Sequence, residues 1–188
     1  MNTVVLFSSP NKNGNTRTLL ENFLDMNSNE VDMIFVFDLN VKPCIDCKYC
    51  YKSGKCFIND DMNDIYKKVE RCDVLIIASP IYFTSFPAPL KLVIDRFQAY
   101  WSRKFISKDK LQTSRKKGVL LMTSGLKEED TFLHCEAMTK QIFLLLNTEF
   151  SSKVYAMDTD NNPVKSNEQI KCFASQKGIE LYNKEQAF

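Results

Sequence analysis

Four cysteines fall within thirteen residues, as Cys44-x2-Cys47-x2-Cys50-x5-Cys56, and three others, Cys72, Cys135 and Cys172, are scattered through the chain. Clustered thiols in a reducing compartment more often mean metal or redox chemistry, because the thiolate is both a ligand and a nucleophile. The spacing admits three readings. Four thiolates on one short loop can wrap a small iron–sulfur centre, with Gly54 helping the loop to reverse. Structural zinc sites more often show two paired knuckles separated by a longer span. The third reading is reduced thiols, or a disulfide formed in air. Cys72, Cys135 and Cys172 are expected to pack as small hydrophobes.

Three further segments carry polar or aromatic groups in patterns that suit a ligand. Ser8-Ser9-Pro10-Asn11-Lys12-Asn13-Gly14-Asn15-Thr16 places hydroxyls, amides and one glycine at a helix start, where free N–H groups and the positive dipole end favour an anion. The segment lacks the glycines of the Walker and dinucleotide fingerprints. A plain polar loop capped by Asn15 or Thr16 is the alternative. Ser79–Pro87 packs Pro80, Pro87, Tyr82, Phe83 and Phe86 into nine residues. Such a stiff aromatic loop suits a flat ring, or else a buried or subunit contact. Thr123-Ser124-Gly125 is small enough for backbone to approach a ligand. His134, the only histidine, falls inside an expected long helix away from these loops, which favours a core or surface role over catalysis.

The elements that must position these residues alternate throughout. Strands are expected at Thr3–Phe7, Val31–Leu39, Asp73–Ala78, Gly118–Thr123 and Lys153–Met157. Helices are expected at Thr16–Met26, Asp61–Arg71 with Asp60 or Asp61 as N-cap, Pro89–Trp101, Glu128–Thr148 and Asn167–Asn183. Leu90, Val93, Ile94, Phe97 and Trp101 form one helical stripe, and Val74–Ala78 is a continuous apolar run of the kind a parallel sheet buries. Parallel neighbours need crossover helices, so the expectation is a three-layer α/β sandwich. Ligands of such sheets bind beyond the carboxyl ends of the strands, where strand order reverses. The loops after the first, third and fourth strands are the segments just described.

With 188 residues, 44% hydrophobic and 26% charged, one globular domain spanning 1–188 is expected, with a cysteine-rich loop at 43–57. A balance of 25 basic against 23 acidic residues is too even for a nucleic-acid footprint. No apolar run is long enough for a membrane span, and no basic-then-apolar leader opens the chain, so a cytoplasmic location is expected. The basic stretch Arg103–Lys117, including the linker Lys108–Lys117, reads as a solvated connection, with attraction toward a nucleotide phosphate as the alternative.

The first loop resembles the phosphate loop of the NAD(P)H-dependent FMN reductases, a flavodoxin-like family whose pattern runs Gly-Ser-Pro-Arg-x-x-Gly-Asn-Ser/Thr. Pro80-Ile81-Tyr82-Phe83, followed by Leu90-Lys91-x-x-Ile94-Asp95-Arg96, resembles the same family's flavin-ring loop and the helix after it. Pro43–Cys56 with Asp60-Asp61-Met62 is similar to the compact cysteine motif of the iron–sulfur flavoproteins of anaerobic microbes. The resemblance implies a flavodoxin-like fold with a five-stranded parallel sheet in order 2-1-3-4-5. It implies FMN held by Ser9, Asn11, Lys12, Asn15, Thr16, Pro80, Ile81, Tyr82, Phe83, Thr84, Ser124 and Gly125, and a [4Fe–4S] cluster on Cys44, Cys47, Cys50 and Cys56. NAD(P)H is the implied donor, an unidentified electron acceptor the partner, and a homodimer or higher homo-oligomer the assembly. Two positions depart from the pattern. Ser8 stands where the family has glycine and Asn11 where it has arginine, leaving Lys12 or Arg17 to supply the phosphate cation, or FMN to bind more weakly.

Overall fold

The computed structural model describes residues 1–24, 30–107 and 114–183. Five parallel strands, β1 (Thr3–Phe7), β2 (Val31–Phe35), β3 (Val74–Pro80), β4 (Lys116–Thr123) and β5 (Thr148–Ala156), form one sheet in the order β2-β1-β3-β4-β5. Seven helices are described: α1 (Asn15–Leu24), α2 (Tyr49–Ser53), α3 (Met62–Arg71), α4 (Ala88–Arg96), α5 (Gln98–Phe105), α6 (Leu133–Leu145) and α7 (Glu168–Asn183). The flavodoxin-like order expected from the resemblance is the observed one.

Strand periodicity divides the core into two layers. Val4 and Leu6 of β1 face α3, α4 and α6 beside Leu75, Ile77, Leu120 and Met122. Val5 and Phe7 face the opposite way with Leu19, Phe23, Ala174 and Leu181 of α1 and α7. Both faces of the central strands are covered, which is why their sequences read as unbroken apolar runs. α1 and α7 come close enough at Gly178 that a Cβ there would sit 1.9 Å from the Phe23 carbonyl oxygen. Only glycine permits that approach. Among the described residues no helix is long and apolar enough to cross a membrane.

Several boundaries differ from expectation. The expected strand Val31–Leu39 ends at Phe35, where pairing with the five-residue β1 runs out, and Val36–Asp38 is a 3-10 turn. The expected helix Pro89–Trp101 breaks at Phe97 into α4 and α5. There the Tyr66 hydroxyl donates to the Arg96 carbonyl at 2.7 Å, drawing it out of the helical ladder. The helix expected at Glu128–Thr148 starts only at Leu133, after a 3-10 turn over Glu129–Phe132, and Asn147 (φ 53°) ends it. β5 begins directly afterwards, five residues earlier than Lys153. At α3, Asp61 is the N-cap, without a side-chain cap bond, and the preceding Asp60 accepts the Met62 N–H at 3.1 Å. Met26 and residues 108–113 of the basic stretch, among them Lys108 and Lys110, lie outside the described residues. Lys116 is no part of a solvated linker: it opens β4 and is buried.

Candidate functional site

Three loops leave the carboxyl ends of β1, β3 and β4, and Thr123 ties them together. Its hydroxyl shares a 2.8 Å hydrogen bond with that of Thr16 in the first loop, both groups being buried. Its carbonyl accepts the Ile81 N–H of the aromatic loop at 2.9 Å. Ser124 then fixes the third loop, its N–H donating to Ala156 and its Oγ accepting the Leu126 N–H at 3.0 Å. Segments 107 residues apart in sequence thus meet at one residue.

The first loop is an electrostatically neutral cradle at the start of α1. The first N–H groups of a helix have no intrahelical partner and carry the positive dipole end. Ser9 Oγ donates to the Asn11 carbonyl at 3.1 Å, and Asn11 Oδ1 accepts the Asn13 N–H at 3.0 Å, so these side chains shape the loop. The Asn15 amide spans to the loop after β5, accepting the Val164 N–H at 2.9 Å and donating to the Thr159 carbonyl at 3.4 Å. The two expected cations are engaged elsewhere. Lys12 pairs with Asp38 and lies over the Phe35 ring, whereas Arg17 pairs with Glu21 at 2.6 Å and reaches the Met33 sulfur. An anion here would meet amide dipoles and hydroxyls. Ser8 Oγ, where the family pattern has glycine, is buried without a hydrogen-bond partner.

The aromatic loop is a strained hairpin. Tyr82 and Ser85 exchange backbone hydrogen bonds of 2.9 and 3.0 Å across Phe83 and Thr84. Both central residues are left-handed, at φ 49° and 57°, a type I′ geometry that normally selects glycine or asparagine. For a β-branched threonine this is a true outlier. Phe83 is fully exposed at the tip and Tyr82 half-exposed, while Phe86 is buried as an anchor. Beneath the hairpin, the Cys135 thiol points at the Thr84 carbonyl, 3.9 Å away. Burial pushes the thiols of Cys72 and Cys135 up to about 11 and about 12, so neither supplies thiolate at neutral pH. Cys172, by contrast with the packing expectation, is exposed on α7. His134 falls in the first turn of α6 and is exposed.

At the third loop, a Cβ on Gly125 would stand 2.3 Å from an Asp160 carboxylate oxygen. That side chain is exposed, so the contact marks how closely the loop after β5 approaches the glycine.

Cys44, Cys47, Cys50 and Cys56 all line one cavity, together with Tyr51, Phe57 and Arg96. The loop doubles back through three left-handed residues, Asp46, Lys48 and Gly54, and the short α2 that carries Cys50. Cys44 and Cys47 are exposed, whereas Cys50 and Cys56 are half-buried. Burial raises the Cys50 thiol, against the opposing hydrogen bond of Ser102, and neighbouring Cys56 and Cys44 raise it further. Among the described residues no three His, Cys, Asp or Glu side chains are set to hold one metal ion.

The neck of this loop is closed by Arg96 and Asp60, which stand in the family-like motifs but were given no role in the site. Arg96, fully buried at the end of α4, donates to Asp60 from both terminal nitrogens at 2.6 and 3.2 Å and to the Lys42 and Ile58 carbonyls at 2.8 and 3.2 Å. Ser102 donates to the Cys50 carbonyl at 2.7 Å, and Trp101 packs against Tyr51 with ring centres 6.0 Å apart. One sequence signal was available. Arg96 follows Val93 by three and so falls on the apolar stripe, where an unpaired charge is costly.

The family described as NADPH-dependent FMN reductase matches residues 1–162. An iron–sulfur flavoprotein of Methanocaldococcus jannaschii is 36% identical over 99 residues, 51% of each chain. An iron–sulfur flavoprotein of Methanosarcina thermophila is 33% identical over 106 residues, 55% of this chain and 56% of that one. The chain spans about half the length of these curated relatives. The NAD(P)H:quinone oxidoreductase of Methanothermobacter marburgensis superposes with a TM-score of 0.70 over 97% of this chain and 96% of its own, at 18% identity, which speaks to the fold.

Proposed function

The chain belongs to the NADPH-dependent FMN reductase family, and from that premise we propose that it is an FMN-dependent oxidoreductase that passes electrons from NAD(P)H through flavin, and through a [4Fe–4S] cluster, to an acceptor. The observation that carries the flavin site is the Thr123 junction, which brings the first and aromatic loops to one point at the strand ends. Ser9, Asn11, Asn15 and Thr16 surround the phosphate while Lys12 of the same loop stays paired with Asp38, Pro80, Ile81, Tyr82, Phe83 and Thr84 flank the ring, and Ser124 and Gly125 admit its edge. FMN supplies hydride acceptance and onward transfer in one or two steps, so the chain needs no acid–base pair of its own. Its residues bind, orient and exclude water. The neutral cradle fits a phosphate held by dipoles and hydroxyls, with weaker binding than an arginine would give.

Cys44, Cys47, Cys50 and Cys56 hold the cluster. Its chemistry is one-electron transfer, complementing the flavin. A cubane takes one thiolate per iron, and the four cysteines that line one cavity supply that full set. The exposure of Cys44 and Cys47 favours one rival, a cluster-free reductase of flavins or quinones whose loop carries only thiols.

Anaerobic stopped-flow mixing with NADH and with NADPH tests the reductase reading. Bleaching of the flavin bands by either donor is expected; no bleaching by both would make the protein an electron carrier of the flavodoxin type.

A further inference from the structure

Arg96 has five N–H groups and uses four of them. The terminal nitrogens donate to both Asp60 oxygens and to the carbonyls of Lys42 and Ile58. Asp60 in turn accepts the Lys42 N–H at 2.9 Å and the Met62 N–H at 3.1 Å. Lys42 precedes the cysteine loop and Ile58 follows it, so one ion pair fastens both strands of its neck. The side chains of the pair are 0% and 3% exposed. The Nε–H is buried and finds no acceptor. A buried donor of a charged group left unpaired costs more than an ordinary hydrogen bond returns, and so calls for a partner. Arg96 lines the same cavity as the four cysteines. Among the described residues no other element combines a closed loop neck, a buried orphan donor and a shared cavity.

We propose that Arg96 is the positioning residue of the cysteine loop: through Asp60 it closes the neck, and its remaining Nε–H is held for a sulfur of the thiolate-bound centre. This rests on the cluster reading above. A centre of four thiolates and inorganic sulfide is anionic and accepts hydrogen bonds at sulfur, and such bonds raise its reduction potential. The arrangement also links the two halves of the site. Arg96 ends α4, which follows directly from the aromatic loop, so one helix spans from the flavin loop to the cysteine cavity.

The test compares the full chain with Arg96→Lys and with the double variant Asp60→Asn/Arg96→Gln, which leaves no lone buried charge. All are prepared without oxygen and analysed for FMN, iron and acid-labile sulfide, for the potential of the centre by EPR-monitored titration, and, after iron removal, for tryptic cleavage at the exposed Lys48, Lys52 and Lys55. The variants are expected to retain FMN and to hold less than half the wild-type iron. The centre that remains shifts to lower potential, and loop cleavage accelerates by about tenfold as the neck opens. Folded variants with wild-type iron content, potential and cleavage rate would overturn the inference while leaving the cluster reading intact. A wild-type protein without iron and sulfide would overturn the cluster reading itself, and the Nε assignment with it. Should the double variant not fold, Arg96→Lys, which keeps the charge opposite Asp60 but loses the fork, decides by the same measurements.

Discussion

Replacing Thr16 by valine removes a hydroxyl and keeps the shape, and the Thr123 junction lets its two consequences be separated. A hydroxyl has one donor and two acceptor positions. Either hydroxyl can donate across the 2.8 Å bond; with Thr123 taken as the donor, the Thr16 O–H is free for the phosphate. Thr16→Val then deprives the buried Thr123 hydroxyl of its partner, at a cost of about 1–3 kcal/mol in stability. It also deletes a hydrogen bond to a charged group, worth about 1.5–3 kcal/mol, so FMN affinity falls by about tenfold to a hundredfold. Thr123→Val makes the complementary cut. Thr16 keeps its O–H for the phosphate, so stability falls by a similar amount while the FMN dissociation constant changes by less than about threefold. Denaturant titration reads the first quantity and fluorescence titration of apoprotein with FMN the second. Equal losses of affinity in the two variants, or none in Thr16→Val, would show that Thr16 does not touch the phosphate.

Three other outcomes are expected. Relieving the left-handed strain at the aromatic hairpin by Thr84→Gly should stabilise the protein by about 0.5–1 kcal/mol, since about 1–2 kcal/mol of strain outweighs the extra backbone entropy of glycine; a lowered thermal midpoint would contradict the strain. Acid should destabilise the fold between about pH 5 and pH 2. Burial alone would raise the Asp60 carboxyl, but the Arg96 guanidinium and the Lys42 and Met62 amides outweigh it, and Lys140, Lys153 and Tyr155 hold Glu136 down to about 2. Both carboxyls are depressed on folding, so their stabilisation is complete above the unfolded values and is lost as pH falls through the folded ones. Denaturation midpoints that do not move between pH 5 and 3 would contradict this, and Glu136→Gln should flatten the profile. Cys47→Ser, at an exposed position, should leave the thermal midpoint and FMN content unchanged while iron is lost; a variant that fails to fold would make the loop a structural element.

The central strands were legible because continuous apolar runs carry them, whereas their order came with the family resemblance and not from local pattern. Val74–Ala78 can be little other than a central strand. The break in the helix after Pro89 was not legible, because its cause is the Tyr66 hydroxyl thirty residues away bonding the Arg96 carbonyl. The late start of α6 escaped for a similar reason, its apolar positions fitting a longer helix equally well. At the site, residue type located the loops but not the pairings inside them. Lys12 and Arg17 looked like phosphate cations until Asp38 and Glu21 were seen to hold them. Asp60 or Asp61 read as the helix cap, and Asp61 takes that position, whereas the role of Asp60 against Arg96 depends on tertiary placement. The strain at Phe83 and Thr84 leaves no trace in sequence, since neither residue favours the conformation it adopts.

The central claim is that one chain carries both flavin and an iron–sulfur centre, the first at the Thr123 junction and the second on the cysteine loop. Purification without oxygen, followed by the visible spectrum and by iron, sulfide and FMN analysis of the same sample, tests it most directly. The account predicts about one FMN with about four iron and four sulfide per chain, and a broad absorbance extending to longer wavelength than the two flavin bands. Flavin bands alone, without iron or sulfide, would contradict it and leave a plain flavin-dependent reductase.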